Sequence, residues 1–198
     1  MQASGLMPAP MLSRCQTALN DFWAALQAQV RPGDAVLVAT AAWKYASIPG
    51  GDPFDLAHLR EVGALCQARN ASLVILGDSP QLLEWGARCT TNASRGSCQR
   101  PRADLVATHV SADDAFAALV TEEPGTTFHF KIMDLFCQSE LCGAHIPGTS
   151  TMAIADRDHW TFEGALYVAP FFACFLDRNG LLPPAVSQSD CDSEVGSG

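Results

Sequence analysis

Apolar residues recur along this chain in two alternating rhythms. Leu19, Phe22, Trp23, Leu26 and Val30 fall on one helical face, so a helix is expected over residues 13–30, stopped by Pro32-Gly33. Residues 35–41 form a short unbroken apolar run, the pattern of a buried strand. Leu56, Leu59, Val62 and Cys66 return to the helical spacing, and residues 72–77 form a second apolar run. A short helix is expected over 81–88 and a longer one over 103–120. Phe128, Phe130 and Ile132 alternate with His129, Lys131 and Met133, a third strand. Phe162, Ala165, Leu166, Ala169, Phe172, Ala173 and Leu176 form the last helical stripe, with Thr161 as its N-cap and a kink at Pro170.

Helices alternating with buried strands predict an α/β fold: a parallel sheet in a three-layer α/β/α arrangement. Right-handed crossovers place helices on its faces, and ligands meet such sheets at the carboxyl ends of the strands. The chain divides into an irregular segment 1–12, a domain over 13–180 and a polar, disordered tail over 181–198. Neither repeats nor a linker divide the domain.

Composition narrows the function. The 198 residues are 48% hydrophobic and 17% charged, enough for one domain with a real core. The net charge of −9, without Lys/Arg clusters, excludes a nucleic-acid partner. No apolar run is long enough for a transmembrane segment, and the first residues do not read as a signal peptide. Eight cysteines are many for a reducing compartment, which points to an extracytoplasmic or lumenal location. Cys89 with Cys98 and Cys137 with Cys142 bracket short polar loops. Disulfides are the expected reading, and a four-cysteine zinc site is the rival; the spacings are wider than those of zinc knuckles. Cys66 and Cys174 read as buried thiols on apolar helix faces, and Cys191 as a residue of the polar tail.

Candidate chemistry concentrates in Asp156-Arg157-Asp158-His159. A neutral imidazole takes a proton from a hydroxyl near neutral pH. A carboxylate on its other nitrogen fixes the tautomer and stabilises the imidazolium. His159 is therefore the candidate general base and Asp156 the group that orients it. His58 and His109 read as solvated or hydrogen-bond-satisfied helix residues, and His129 as an outward strand residue. His145, in a loop beside Cys142, is a candidate to touch substrate. Trp43 and Trp160 lie near the expected site, where an aromatic ring stacks on a ligand or is simply buried.

The ordered set Asp134-Leu135-Phe136-Cys137, Cys142, a glycine-containing loop, Asp156-x-x-His159 and a helix resembles the end of an SGNH hydrolase domain. The likeness is to the SGNH domains attached to membrane acyltransferases that O-acylate carbohydrates. It extends back through Asp78-Ser79-Pro80, Ala41-Ala42-Trp43-Lys44-Tyr45 and Cys15, covering roughly residues 5–178. The resemblance implies a flavodoxin-like SGNH fold and O-acyl ester hydrolysis or acyl transfer on a carbohydrate. It also implies a membrane acyltransferase domain as partner, no cofactor, and catalytic roles for Asp156 and His159. Such domains open with a strand into Gly-Asp-Ser, whose serine attacks the ester. Residues 1–12 contain nothing similar, so the sheet is expected to be incomplete at its N-terminal end, to lack its middle strand and to be marginally stable. Gly77-Asp78-Ser79 also follows a strand, but Pro80 gives it the form of a turn. The alternative is a catalytically inactive fragment or a carbohydrate- or partner-binding module.

Overall fold

The computed structural model describes residues 9–39, 54–77, 79–80, 98–138, 140–156, 159–182 and 191. Helix α1 (Ala9–Gln29) leads to strand β1 (Ala35–Ala39), helix α2 (Phe54–Ala68) and strand β2 (Ser72–Leu76). A short strand β3 (Gln99–Pro101), helix α3 (Arg102–Glu122) and strand β4 (Thr127–Phe130) follow. After a 3-10 turn (Met133–Phe136) come the hairpin strands β5 (Cys137–Gln138) and β6 (Leu141–Gly143), then helix α4 (Phe162–Arg178). The helical segments begin earlier than their apolar spacing suggests: α1 starts at Ala9, inside the segment expected to be irregular.

The main sheet is parallel, in the order β1-β2-β4. Val36 pairs with Leu73 and Val38 with Ile75, and all four point to one face. There they pack with Trp23, Leu26 and Val30 of the α1 segment, with Leu59, Val62 and Cys66 of α2, and with Phe116 and Leu119 of α3. Both crossovers step across the sheet in one direction, so the right-handed rule puts α2 and α3 on the same side. Leu76 and its partner Phe130 point to the opposite face, where Phe130 meets Phe172 and Phe175 of α4 at ring-centroid distances of 5.1 Å. The α/β/α layering is as the sequence pattern predicts.

Among the described residues the two apolar strands are direct neighbours. β1 and β2 pair continuously from Ala35↔Ser72 to Ala39↔Leu76, and β2 is the middle strand, with Leu73, Val74 and Ile75 fully buried. The cost of unpaired backbone groups between them therefore does not arise.

Three further readings are corrected. His129 does not face solvent: its ring packs edge-on against Phe116, with centroids 5.1 Å apart. Position 129 points to the α3 face while Phe130 points to the α4 face, the ordinary alternation of a strand covered on both sides. Cys174 is not a free thiol; it is disulfide-bonded to Cys191 with Cα atoms 5.4 Å apart. This bond anchors position 191 of the expected frayed tail to α4, and Arg178 Nη2 donates to the Cys191 carbonyl. His58 is satisfied locally, its Nδ1 lying 3.4 Å from Glu61 one helical turn on. The third strand ends at Phe130, and Met133 already belongs to the 3-10 turn.

Cys66 is a buried free thiol, as expected. Cys137–Cys142 is a disulfide with Cα atoms 3.9 Å apart, joining directly paired residues of β5 and β6. Cys98 is also disulfide-bonded. Cys89, the expected helix over 81–88, Trp43 to Tyr45 and the side chain of His109 lie outside the described residues.

Candidate active site

The chain leaves the carboxyl end of β4 and builds a small irregular platform. β6 pairs antiparallel with β5 on one side and β3 on the other. These strands are two or three residues long, too short for an alternation to register in the sequence. Beyond β6 the chain forms a three-segment ribbon. Ile146 N–H donates to Thr151 O (2.9 Å), and the N–H groups of Ala153 and Ile154 both donate to Ala144 O (2.7 and 3.0 Å). The middle segment then pairs with the turn after Asp156: Ala155 N–H donates to His159 O (2.7 Å) and Thr161 N–H to Ala153 O (2.8 Å).

Asp156 and His159 meet at the tip of this ribbon. One carboxylate oxygen of Asp156 accepts the His159 backbone N–H at 2.9 Å. The other lies 2.8 Å from His159 Nδ1. With the proton on Nδ1 donated to the carboxylate, Nε2 is the ring nitrogen that carries the lone pair. The His159 side chain is 79% exposed and that of Asp156 30%, so Nε2 faces a partner arriving from outside.

Thr161 locks the turn to α4. Its Oγ1 accepts the Gly164 N–H at 2.9 Å, satisfying one of the orphan donors of the helix start, and donates to Met152 O at 2.7 Å. The cap was legible in the sequence; the second bond was not. Gly164 was missed. It is buried beneath the ribbon, and a Cβ at that position would run into the carbonyl of Ala153. A glycine in the first turn of an otherwise apolar helix was the available signal. Below the turn, Phe136 is buried between Trp160 (ring centroids 6.4 Å apart) and Tyr167 (5.7 Å). Tyr167 Oη donates to Leu135 O at 3.0 Å, holding α4 to the 3-10 turn. Asp134 in that turn pairs with Arg102 at the start of α3 (2.6 Å), a half-exposed pair contributing about 0–1 kcal/mol.

Ser79 is only 3% exposed. A hydroxyl so withdrawn is not open to an ester carried by a sugar, and its burial suits the turn reading. Among the described residues no cluster of His, Cys, Asp or Glu is arranged to hold a metal ion, so the zinc reading of the cysteines has no support there.

A model of the SGNH domain (fused to AT3 domains) matches residues 1–173. Among solved structures, the chain is similar to the periplasmic domain of a lipopolysaccharide acetyltransferase from Salmonella ser. Paratyphi A. The two are 13% identical, with a TM-score of 0.46 over 70% of this chain. The match covers 56% of that structure's own length. No curated protein matches.

Proposed function

The chain belongs to the SGNH domain family, in the group fused to AT3 domains, and from that membership we propose that it hydrolyses or transfers O-acyl groups on carbohydrate with Asp156 and His159 as its base pair. The observation that carries the reading is the 2.8 Å contact between His159 Nδ1 and Asp156, which leaves Nε2 outward. In the reaction a serine hydroxyl gives its proton to His159 Nε2 as its oxygen attacks the acyl carbonyl. The resulting imidazolium is stabilised by Asp156. The tetrahedral intermediate collapses, and His159 returns the proton to the leaving alcohol. An acyl-enzyme remains, and water or an acceptor sugar hydroxyl, deprotonated in turn by His159, releases the acyl group. The disulfides favour an oxidising compartment, and the family's fused AT3 domain is the natural partner. No described helix is long and apolar enough to cross a membrane.

Turnover of p-nitrophenyl acetate and of an O-acetylated sugar tests the reading. His159→Ala is expected to lower kcat by about 10²–10⁴-fold, the usual contribution of a general base. Asp156→Asn should approach that loss with the fold intact by circular dichroism. Fluorophosphonate labelling followed by peptide mapping then identifies the attacking serine. Turnover indifferent to His159→Ala sinks the proposal. The burial of Ser79 favours a second reading, a carbohydrate-binding module without chemistry. Saturable sugar binding with no His159-dependent turnover is its signature.

A further inference from the structure

One cavity lies beside the Asp156–His159 turn without being part of it. It has a volume of about 320 Å³ and is lined by Gln99, Phe136, Leu141, Gly143, His145 and Thr149, among others. That volume falls within the range of small-molecule sites and exceeds what an acetyl group needs. The buried Phe136 and the exposed Leu141 both belong to its lining. Gln99, His145 and Thr149 bring an amide, an imidazole and a hydroxyl to a hollow whose lining is more polar than apolar and includes the Phe136 ring. Hydroxyl-seeking groups beside an aromatic ring suit a pyranose, whose edge is hydroxylated and whose carbon faces are apolar.

The ribbon fixes where this cavity stands relative to the base. His145 bridges to Met152 in the middle segment, and Ile154 of the same segment bridges to Trp160, next to His159. The pocket segment and the His159 segment are thus two strand spacings apart, about 10 Å between backbones. That is too far for the sugar whose ester is at His159 Nε2 to occupy the cavity as well. It suits the neighbouring sugar of the same chain. Resting on the acyl-transfer reading above, we infer that this cavity is a subsite for the sugar residue adjacent to the one whose O-acyl group is processed. The protein would accordingly prefer an oligosaccharide to a monosaccharide.

Gly143 supplies the test. A Cβ there meets only ordinary contacts, the nearest being Gln99 Cγ at 3.6 Å, so Gly143→Leu fills the cavity without forcing the backbone. His145→Ala removes a polar group from the lining. The full chain is assayed on p-nitrophenyl acetate and on methyl glycosides of an acetylated hexose and its disaccharide, in the gluco, galacto and rhamno series. Both variants are expected to raise KM for the acetylated disaccharide by about tenfold, roughly 1.4 kcal/mol of binding, and Gly143→Leu to leave kcat on p-nitrophenyl acetate within about twofold of wild type. Equal losses on both substrates would mean a displaced turn and overturn the subsite, as would unchanged KM values while His159→Ala abolishes turnover. An NMR titration with the unacetylated disaccharides separates binding from chemistry. Saturable shifts at His145, Gly148 and Thr149 that vanish in Gly143→Leu support the subsite even if no His159-dependent turnover exists, in which case only the catalytic reading falls. Absence of those shifts overturns the subsite.

Discussion

The two carboxylate oxygens of Asp156 meet the backbone N–H and the ring Nδ1 of the same residue, His159. The spacing of an acid three residues before a histidine is what makes this possible, and so it could be read from the sequence without any knowledge of distant chain. Cys66 shows the opposite use of burial. Its side chain is fully enclosed, and burial, aided by the Glu123 carboxylate, pushes the thiol from 9.0 up to about 11. The protonated thiol is held in the folded chain, whereas the unfolded chain releases the proton first. This contribution to stability is therefore complete below about pH 9 and is lost as pH rises through about 11. Urea midpoints should fall across that interval, and the fall should be shallower in Cys66→Ala; at pH 8 the native thiol should resist a disulfide-exchange reagent until the chain unfolds. A native thiol that reacts at the rate of a free one would contradict the assignment.

At the scale of elements, α4 is the part that positions the Asp156–His159 turn. Thr161 both caps the helix and bonds to Met152 in the ribbon, so a change there acts on two elements together. Thr161→Ala is expected to cost about 1–2 kcal/mol in thermal or chemical denaturation, and Thr161→Ser to restore most of it. A cost of a few tenths for Thr161→Ala would show that the ribbon holds the turn unaided. The helix itself was legible from its apolar stripe, including Pro170 within it. The platform around it was not. Strands such as β5 and β6 owe their pairing to a disulfide and to neighbours far along the chain, not to any local alternation. Cys174 was misread for a related reason. An apolar helix face is where a buried thiol sits, and only the return of Cys191 to α4 turns it into a bridge. His129 misled because alternation says which strand residues share a face, not which faces are covered.

For the whole molecule, the continuous pairing of β1 with β2 moves the weak point from the middle of the sheet to its border. Among the described residues β1 pairs only with β2, and Leu37 is 50% exposed on the face opposite the helices of the larger core. An apolar strand with an unpaired edge recruits another chain. The 198-residue chain is expected to self-associate at micromolar concentration, and Leu37→Lys to shift sedimentation towards monomer with little change in melting temperature. A monomeric wild type at those concentrations would contradict this.

The close approach of Gly164 to the Ala153 carbonyl also bears on how this domain can change over generations. Gly148, with φ +76 and open space about it, is constrained by backbone conformation alone, a demand that asparagine or aspartate also meets. Position 164 is constrained by room, and no side chain meets that demand. Single-step changes that reshape the neighbouring cavity therefore run around position 164, through its lining at Gln99, Leu141 and His145. The fit of α4 beneath the Asp156–His159 turn stays fixed while that cavity drifts.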